Sequence, residues 1–171
     1  LTVKKTAFPI MVDGIIDEAW DFADSVNSFI QFSPFHGEIS SRKTVAKVLT
    51  TEESLYALII CYAPQDEIIV NTGTFDRLSG DLASIMLDTF NDKKTAYKFA
   101  INASGVQGDS RLIDDARNRD DSWDGIWYGA AKVYNWGYVV EFEIPYKSIQ
   151  YAENFDYWGL DFDRWMPTQN E

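Results

Sequence analysis

Ile126-Trp127-Tyr128-Gly129-Ala130-Ala131-Lys132-Val133-Tyr134, then Asn135-Trp136-Gly137, then Tyr138-Val139-Val140-Glu141-Phe142-Glu143-Ile144 follow one another without interruption. In the last stretch Tyr138, Val140, Phe142 and Ile144 alternate with Val139, Glu141 and Glu143. Successive side chains of a strand point to opposite faces, so a period of two marks a strand with one buried side. The short Asn-Trp-Gly break between two such runs predicts a β-hairpin.

The same reading extends in both directions. Lys43 to Thr50 and Leu55 to Tyr62 flank the polar turn Thr51-Glu52-Glu53-Ser54. Leu82 to Leu87 and Thr95 to Asn102 flank Asp88 to Lys94. A last strand, Tyr157 to Trp165, sets Trp158, Leu160 and Phe162 on one face and Asp161 and Asp163 on the other. Helical signal is confined to a turn capped by Asp17 and another after Pro145, over Tyr146 to Gln150. Strands at this spacing predict an all-β fold, an antiparallel two-sheet β-sandwich of jelly-roll or immunoglobulin-like type. Nine to eleven strands are expected, with Trp20, Leu58, Ile60, Ile85, Leu87, Val140, Phe142 and Phe162 in the core. No repeat or linker divides the chain, so residues 1–171 read as a single domain. Two long loops, Gln65 to Asp81 and Gly105 to Gly125, are of a length that commonly carries function.

Composition narrows the partners. The chain has 171 residues, 46% apolar and 15% aromatic, enough for a real core. Fifteen basic against 27 acidic side chains give a net charge of −12. That field repels phosphate backbones and anionic lipid headgroups, which argues against nucleic acid and membrane surfaces as partners. Cys61 is the single cysteine, so neither an intrachain disulfide nor a multi-thiolate metal site can form. The longest apolar run, Leu55 to Ala63, is strand-length and far short of a bilayer span.

Catalytic signatures are missing. There is no Gly-x-Ser-x-Gly elbow, His-Glu-x-x-His pair or Gly-rich phosphate loop. His36 is the sole histidine, and no neighbour in Ser33-Pro34-Phe35-His36-Gly37 orients it as a base. Met11, Met86 and Met166 offer no pairing with it, so haem is not expected. With this many carboxylates some pair meets any spacing, so their abundance does not argue for glycoside hydrolysis. The domain is expected to be non-catalytic.

Several motifs resemble those of family 9 carbohydrate-binding modules, in the right order and over most of the chain. They are Val12-Asp13-Gly14-Ile15-Ile16-Asp17-Glu18-Ala19-Trp20, Ser54-Leu55-Tyr56-Ala57-Leu58, Gly80-Asp81 to Asp88, Trp136-Gly137-Tyr138-Val139-Val140-Glu141 and Trp158-Gly159-Leu160-Asp161-Phe162. Leu87-Asp88-Thr89-Phe90-Asn91-Asp92 with Ala100 to Gln107 is similar to the subgroup found before an outer-membrane β-barrel in large bacterial proteins. The resemblance implies a sandwich that binds a neutral xylan- or glucan-type glycan, within a larger protein linked to polysaccharide degradation. It implies an extracytoplasmic setting (periplasm, outer membrane or secreted). The subgroup implies an alternative, a structural domain packed against a C-terminal barrel of the same chain. Where the family carries a stacking Trp, a Glu and an Arg, this chain has Leu78, Ser84 and Ala100.

Sugar recognition needs flat aromatic faces and hydroxyl partners. Asp120-Asp121-Ser122-Trp123-Asp124-Gly125-Ile126-Trp127-Tyr128 supplies both within one stretch. The expected site is Trp123, Trp127 and Tyr128 for stacking, with Asp121, Asp124 and Asn102 as hydroxyl partners. The same two Trp residues also fit a role capping the sandwich edge. A structural Ca²⁺ on the acidic loops, around Asp88, Asn91 and Asp92 or Asp109 to Asp124, is the one cofactor to consider. Asp and Asn at turns cap backbone groups equally well, and no EF-hand spacing occurs.

Overall fold

The computed structural model describes residues 1–152 and 156–171. Among the described residues eleven strands form: β1 (Lys4–Lys5), β2 (Ser25–Val26), β3 (Thr44–Thr50), β4 (Ser54–Tyr62), β5 (Leu82–Asp88), β6 (Ala96–Asn102), β7 (Gln107–Ile113), β8 (Asn118–Asp120), β9 (Tyr128–Tyr134), β10 (Gly137–Pro145) and β11 (Gly159–Trp165). One sheet runs β1-β3-β4-β10-β9 with β2 added on β3, and the other runs β11-β5-β6-β7-β8. Every pairing is antiparallel except β1 with β3. The expected sandwich is present.

The deciding hairpin pairs Tyr138 with Val133, Val140 with Ala131 and Phe142 with Gly129. The alternating apolar set of β10 faces Ile85, Leu87, Phe99 and Ile101 of the second sheet, and this inter-sheet layer is the main core. Gly137 allows the return of the chain. Its φ of 153° is open to glycine, and a Cβ there would sit 2.1 Å from the Cys61 carbonyl oxygen.

The opposite faces of β4 and β10 are buried too, which explains the unbroken apolar run Leu55 to Ala63. The chain before β2 crosses the outer side of the first sheet and lays Ala19 and Trp20 on Leu49, Leu58, Ile60 and Val139. The expected core residues are therefore split between two layers. Trp20, Leu58 and Ile60 lie under the N-terminal segment, and Ile85, Leu87, Val140 and Phe142 lie between the sheets, with Phe162 half-buried at that layer's margin. Asp17 does not cap the turn Glu18–Phe22 with its side chain; its Oδ2 accepts from the Met11 amide at 2.8 Å instead.

The stretch read as the loop Gly105 to Gly125 carries two strands, β7 and β8. Its sequence, Gln107-Gly108-Asp109-Ser110-Arg111, hides the strand because Asp109 faces the core. Polarity at an inward position breaks the alternation on which the reading relies.

Candidate functional site

The structure separates the residues expected to bind sugar. Trp127 is 6% exposed, with its ring against Phe99 and Phe142. Its Nε1 donates to Asp109 Oδ2 at 2.7 Å, and the Gly125 amide donates to the same oxygen at 3.3 Å. Burial pushes the Asp109 carboxyl up, and these two bonds oppose the shift. A buried indole needs an acceptor for its N–H, so Trp127 and Asp109 form one core unit. Trp127 has no free face to stack on a sugar. Asn102 is also corrected. It is 1% exposed, its Nδ2 donates to the Asn71 and Ser79 carbonyls, and its Oδ1 accepts from Ser104 and Val106. All of its polar capacity holds loops together.

Trp123 is half-buried against Tyr97 and Phe99, with ring centroids at 4.8 and 5.8 Å. Asp121 pairs with Arg119 at the surface, and Asp124 is exposed. Tyr128 is 55% exposed, but it lies on the outer side of the first sheet beside Glu143. The six residues do not share a face. The acidic turns behave as backbone caps: Asp88 accepts from the Asp92 and Lys93 amides, and Asp92 accepts from Lys94 and Thr95. Among the described residues no three His, Cys, Asp or Glu side chains gather at metal-binding distances.

A different surface brings sugar-binding chemistry together. On β5 the residues Ala83, Ile85 and Leu87 point inward, so Leu82, Ser84 and Met86 point out. Register then sets Trp165 beside Leu82, Asp163 beside Ser84 and Asp161 beside Met86, with Ala100 and Lys98 on the far side of Ser84 and Met86. Lys98 Nζ lies 3.1 Å from Asp163 Oδ2, and Ser84 Oγ donates to that oxygen at 3.4 Å. Trp165 is exposed two positions along from Asp163 on the same side. Next to this row lies a groove of about 410 Å³, lined by Met86, Asp88, Leu112 and Asp161 among others. Leu78 leans over Gly108, the partner of Ala100; a Cβ on that glycine would meet Leu78 Cδ1 at 2.9 Å. Thus Leu78, Ser84 and Ala100, scattered in sequence, meet on this face.

A second cavity of about 1060 Å³ opens at the end of the sandwich between β11 and the start of β4. Tyr146, Tyr151, Tyr157 and Trp158 line it, with Glu52 and Asp156 at its walls.

The family described as carbohydrate family 9 binding domain-like matches residues 12–167. The chain belongs to this family. It is a carbohydrate-binding domain without catalytic function. The fold agrees with a family 9 module from Caldicellulosiruptor kristjanssonii in complex with cellotriose, at a TM-score of 0.64 and 20% identity, over 94% of this chain and 74% of that one. The same organism's module in complex with glucose matches at a TM-score of 0.63 and 19% identity, over 94% and 75% of the two chains. No match is found among curated protein sequences.

For this family 9 domain, Lys98, Asp163 and Trp165 are residues that the sequence reading passed over. Their signal was present in the alternation of Tyr157 to Trp165, which already set Asp161 and Asp163 opposite the core face. What it lacked was the register that lays Lys98 and Ser84 next to them.

Proposed function

We propose that this family 9 domain binds a neutral glucan- or xylan-type glycan on the outer face of the five-stranded sheet. The observation that carries the reading is the exposed Trp165 ring in line with the Lys98–Asp163 pair on the outer face of that sheet. An aromatic face takes the C–H side of a pyranose, and a carboxylate with an ammonium takes its hydroxyls. The cellotriose- and glucose-bound modules that share the fold support a β-glucan. An extracytoplasmic location within a polysaccharide-degrading protein fits such a ligand. The test is calorimetric titration with glucose, cellotriose and xylotriose. Trp165→Ala and Asp163→Ala should each weaken binding at least about tenfold. Unchanged affinity in both variants would move the site elsewhere, with exposed Tyr128 and, separately, the loop of Asp121, Trp123 and Asp124 as the next places to test.

A second reading, a domain packing against a C-terminal β-barrel of the same chain, is supported by one apolar surface. Ile30, Phe32, Phe35 and Ile39 are all exposed on one loop, Phe32 to 87%. Glu171 lies at the base of that loop, where its carboxylate accepts from the Ser41 amide at 3.1 Å. Absence of binding across the whole sugar panel would favour this role.

A further inference from the structure

The two cavities meet at one strand. Leu160 and Asp161 of β11 line both the outer-face groove and the end cleft. Among the described residues β11 is the edge strand of its sheet, with no further strand paired outside it. At Gly159, the groove-lining residue before Leu160, the side-chain position is taken by Asp88, whose Cβ a methyl group there would meet at 2.9 Å.

We propose that groove and cleft form a single path for an oligosaccharide that crosses β11 at Leu160 and Asp161. The domain then recognises a run of neutral sugar units rather than one terminal unit. The inference rests on the outer-face reading given above, which supplies one half of the path.

The cleft half has the chemistry for further units. Tyr146, Tyr151 and Trp158 pack edge to face or tilted, with centroids 5.5 to 6.2 Å apart. The Tyr146 hydroxyl is hydrogen-bonded to Thr50 Oγ1, which fixes that ring as a backstop. Tyr151 and Tyr157 are the exposed members, Tyr157 to 66%. They offer aromatic surface at the mouth, with the exposed carboxylate of Asp156 on the wall. Alternating aromatic surface and hydrogen-bonding groups suits an amphipathic sugar chain better than a wholly apolar ligand. At about 1060 Å³ the cleft has room for a drug-sized ligand and more.

Chain length is the discriminating variable. Glucose, cellotriose and cellohexaose are titrated into the wild type and into Tyr151→Ala and Tyr157→Ala, with thermal melts to confirm folding. Affinity should rise at least about tenfold from glucose to cellohexaose in the wild type. Tyr157→Ala or Tyr151→Ala should return cellohexaose to near the glucose value and leave glucose itself unmoved. Equal wild-type affinity for glucose and cellohexaose would overturn the path and leave the outer-face site standing. A length dependence that survives both substitutions would also overturn it. No binding of any sugar by the folded wild type would remove the outer-face reading, and the path with it.

Discussion

Glu141 shows how much one side chain organises here. It is fully buried, and its Oε2 accepts from the Asp13 and Gly14 amides at 3.1 and 2.9 Å while Oε1 accepts from Trp20 Nε1 at 3.1 Å. Burial outweighs these donors and pushes the carboxyl up to about 7. A carboxyl whose folded pKa lies above its unfolded value binds more protons in the native state. Its stabilising share is therefore complete below about pH 4.5 and is lost as pH rises through about 7. At 1.36 kcal/mol per pKa unit, the loss across that window is about 3 kcal/mol. Urea melts from pH 4.5 to 8.5 should show it. Glu141→Gln should flatten the profile and cost about 2 kcal/mol at low pH, because its amide N–H groups face donors. A second residue-scale outcome separates stability from binding. Trp127→Ala should destabilise by about 3–5 kcal/mol and leave Asp109 with Gly125 as its one donor, while sugar affinity in the folded fraction stays unchanged.

At the scale of elements, the N-terminal segment is a strap rather than a strand, and Gly14 is the point that lets it lie flat. Its φ is +78°, and a Cβ there would stand 2.7 Å from Lys132 Cβ and 2.8 Å from the Lys132 amide nitrogen. Neither the dihedral nor the space admits a side chain. Gly14→Ala should therefore lift the strap from β9, break the Glu141 contacts and lower the unfolding free energy by at least about 2 kcal/mol. A melting temperature equal to the wild type's would show that the strap accommodates the methyl group. The Asp-Gly opening motif was legible as a family resemblance, and its physical reason, two amides presented to a buried carboxylate, required the fold. The same division holds elsewhere. β3, β4, β5, β6, β9, β10 and β11 could be read because apolar alternation or long apolar runs mark them. β7 could not, since Asp109 turns inward to serve Trp127. The residues expected to bind sugar are dispersed for a related reason: Trp127 turns into the core and Asn102 ties loops together, and no local pattern marks either placement. Lys98 and Asp163 became neighbours through pairing of β5 with both β6 and β11, which no local pattern encodes.

For the whole molecule the governing quantity is a net charge of −12. Asp88, Asp115, Asp156 and Asp161 stand along the path assigned to the glycan against Lys93 and Lys94, whereas Lys98 is neutralised by Asp163 and Lys5 by Glu52. An uncharged sugar chain gains nothing from this field and loses nothing to it. Its affinity should therefore be the same within about twofold between 20 mM and 500 mM salt, since no ion pair forms or breaks on binding. A uronate-bearing chain of equal length enters against like charge, at a Debye length that shrinks from about 20 Å to about 4 Å over that range. Its binding should be weak at low salt and should strengthen as salt is added. Titrating cellohexaose and an oligogalacturonate at both ionic strengths reads the two behaviours directly. A neutral ligand weakened severalfold by salt, or a uronate bound more tightly at 20 mM than at 500 mM, would mean that lysines such as Lys93, Lys94 and Lys98 dominate the site. The ligand class would then have to be acidic, against the sign of the molecule as a whole.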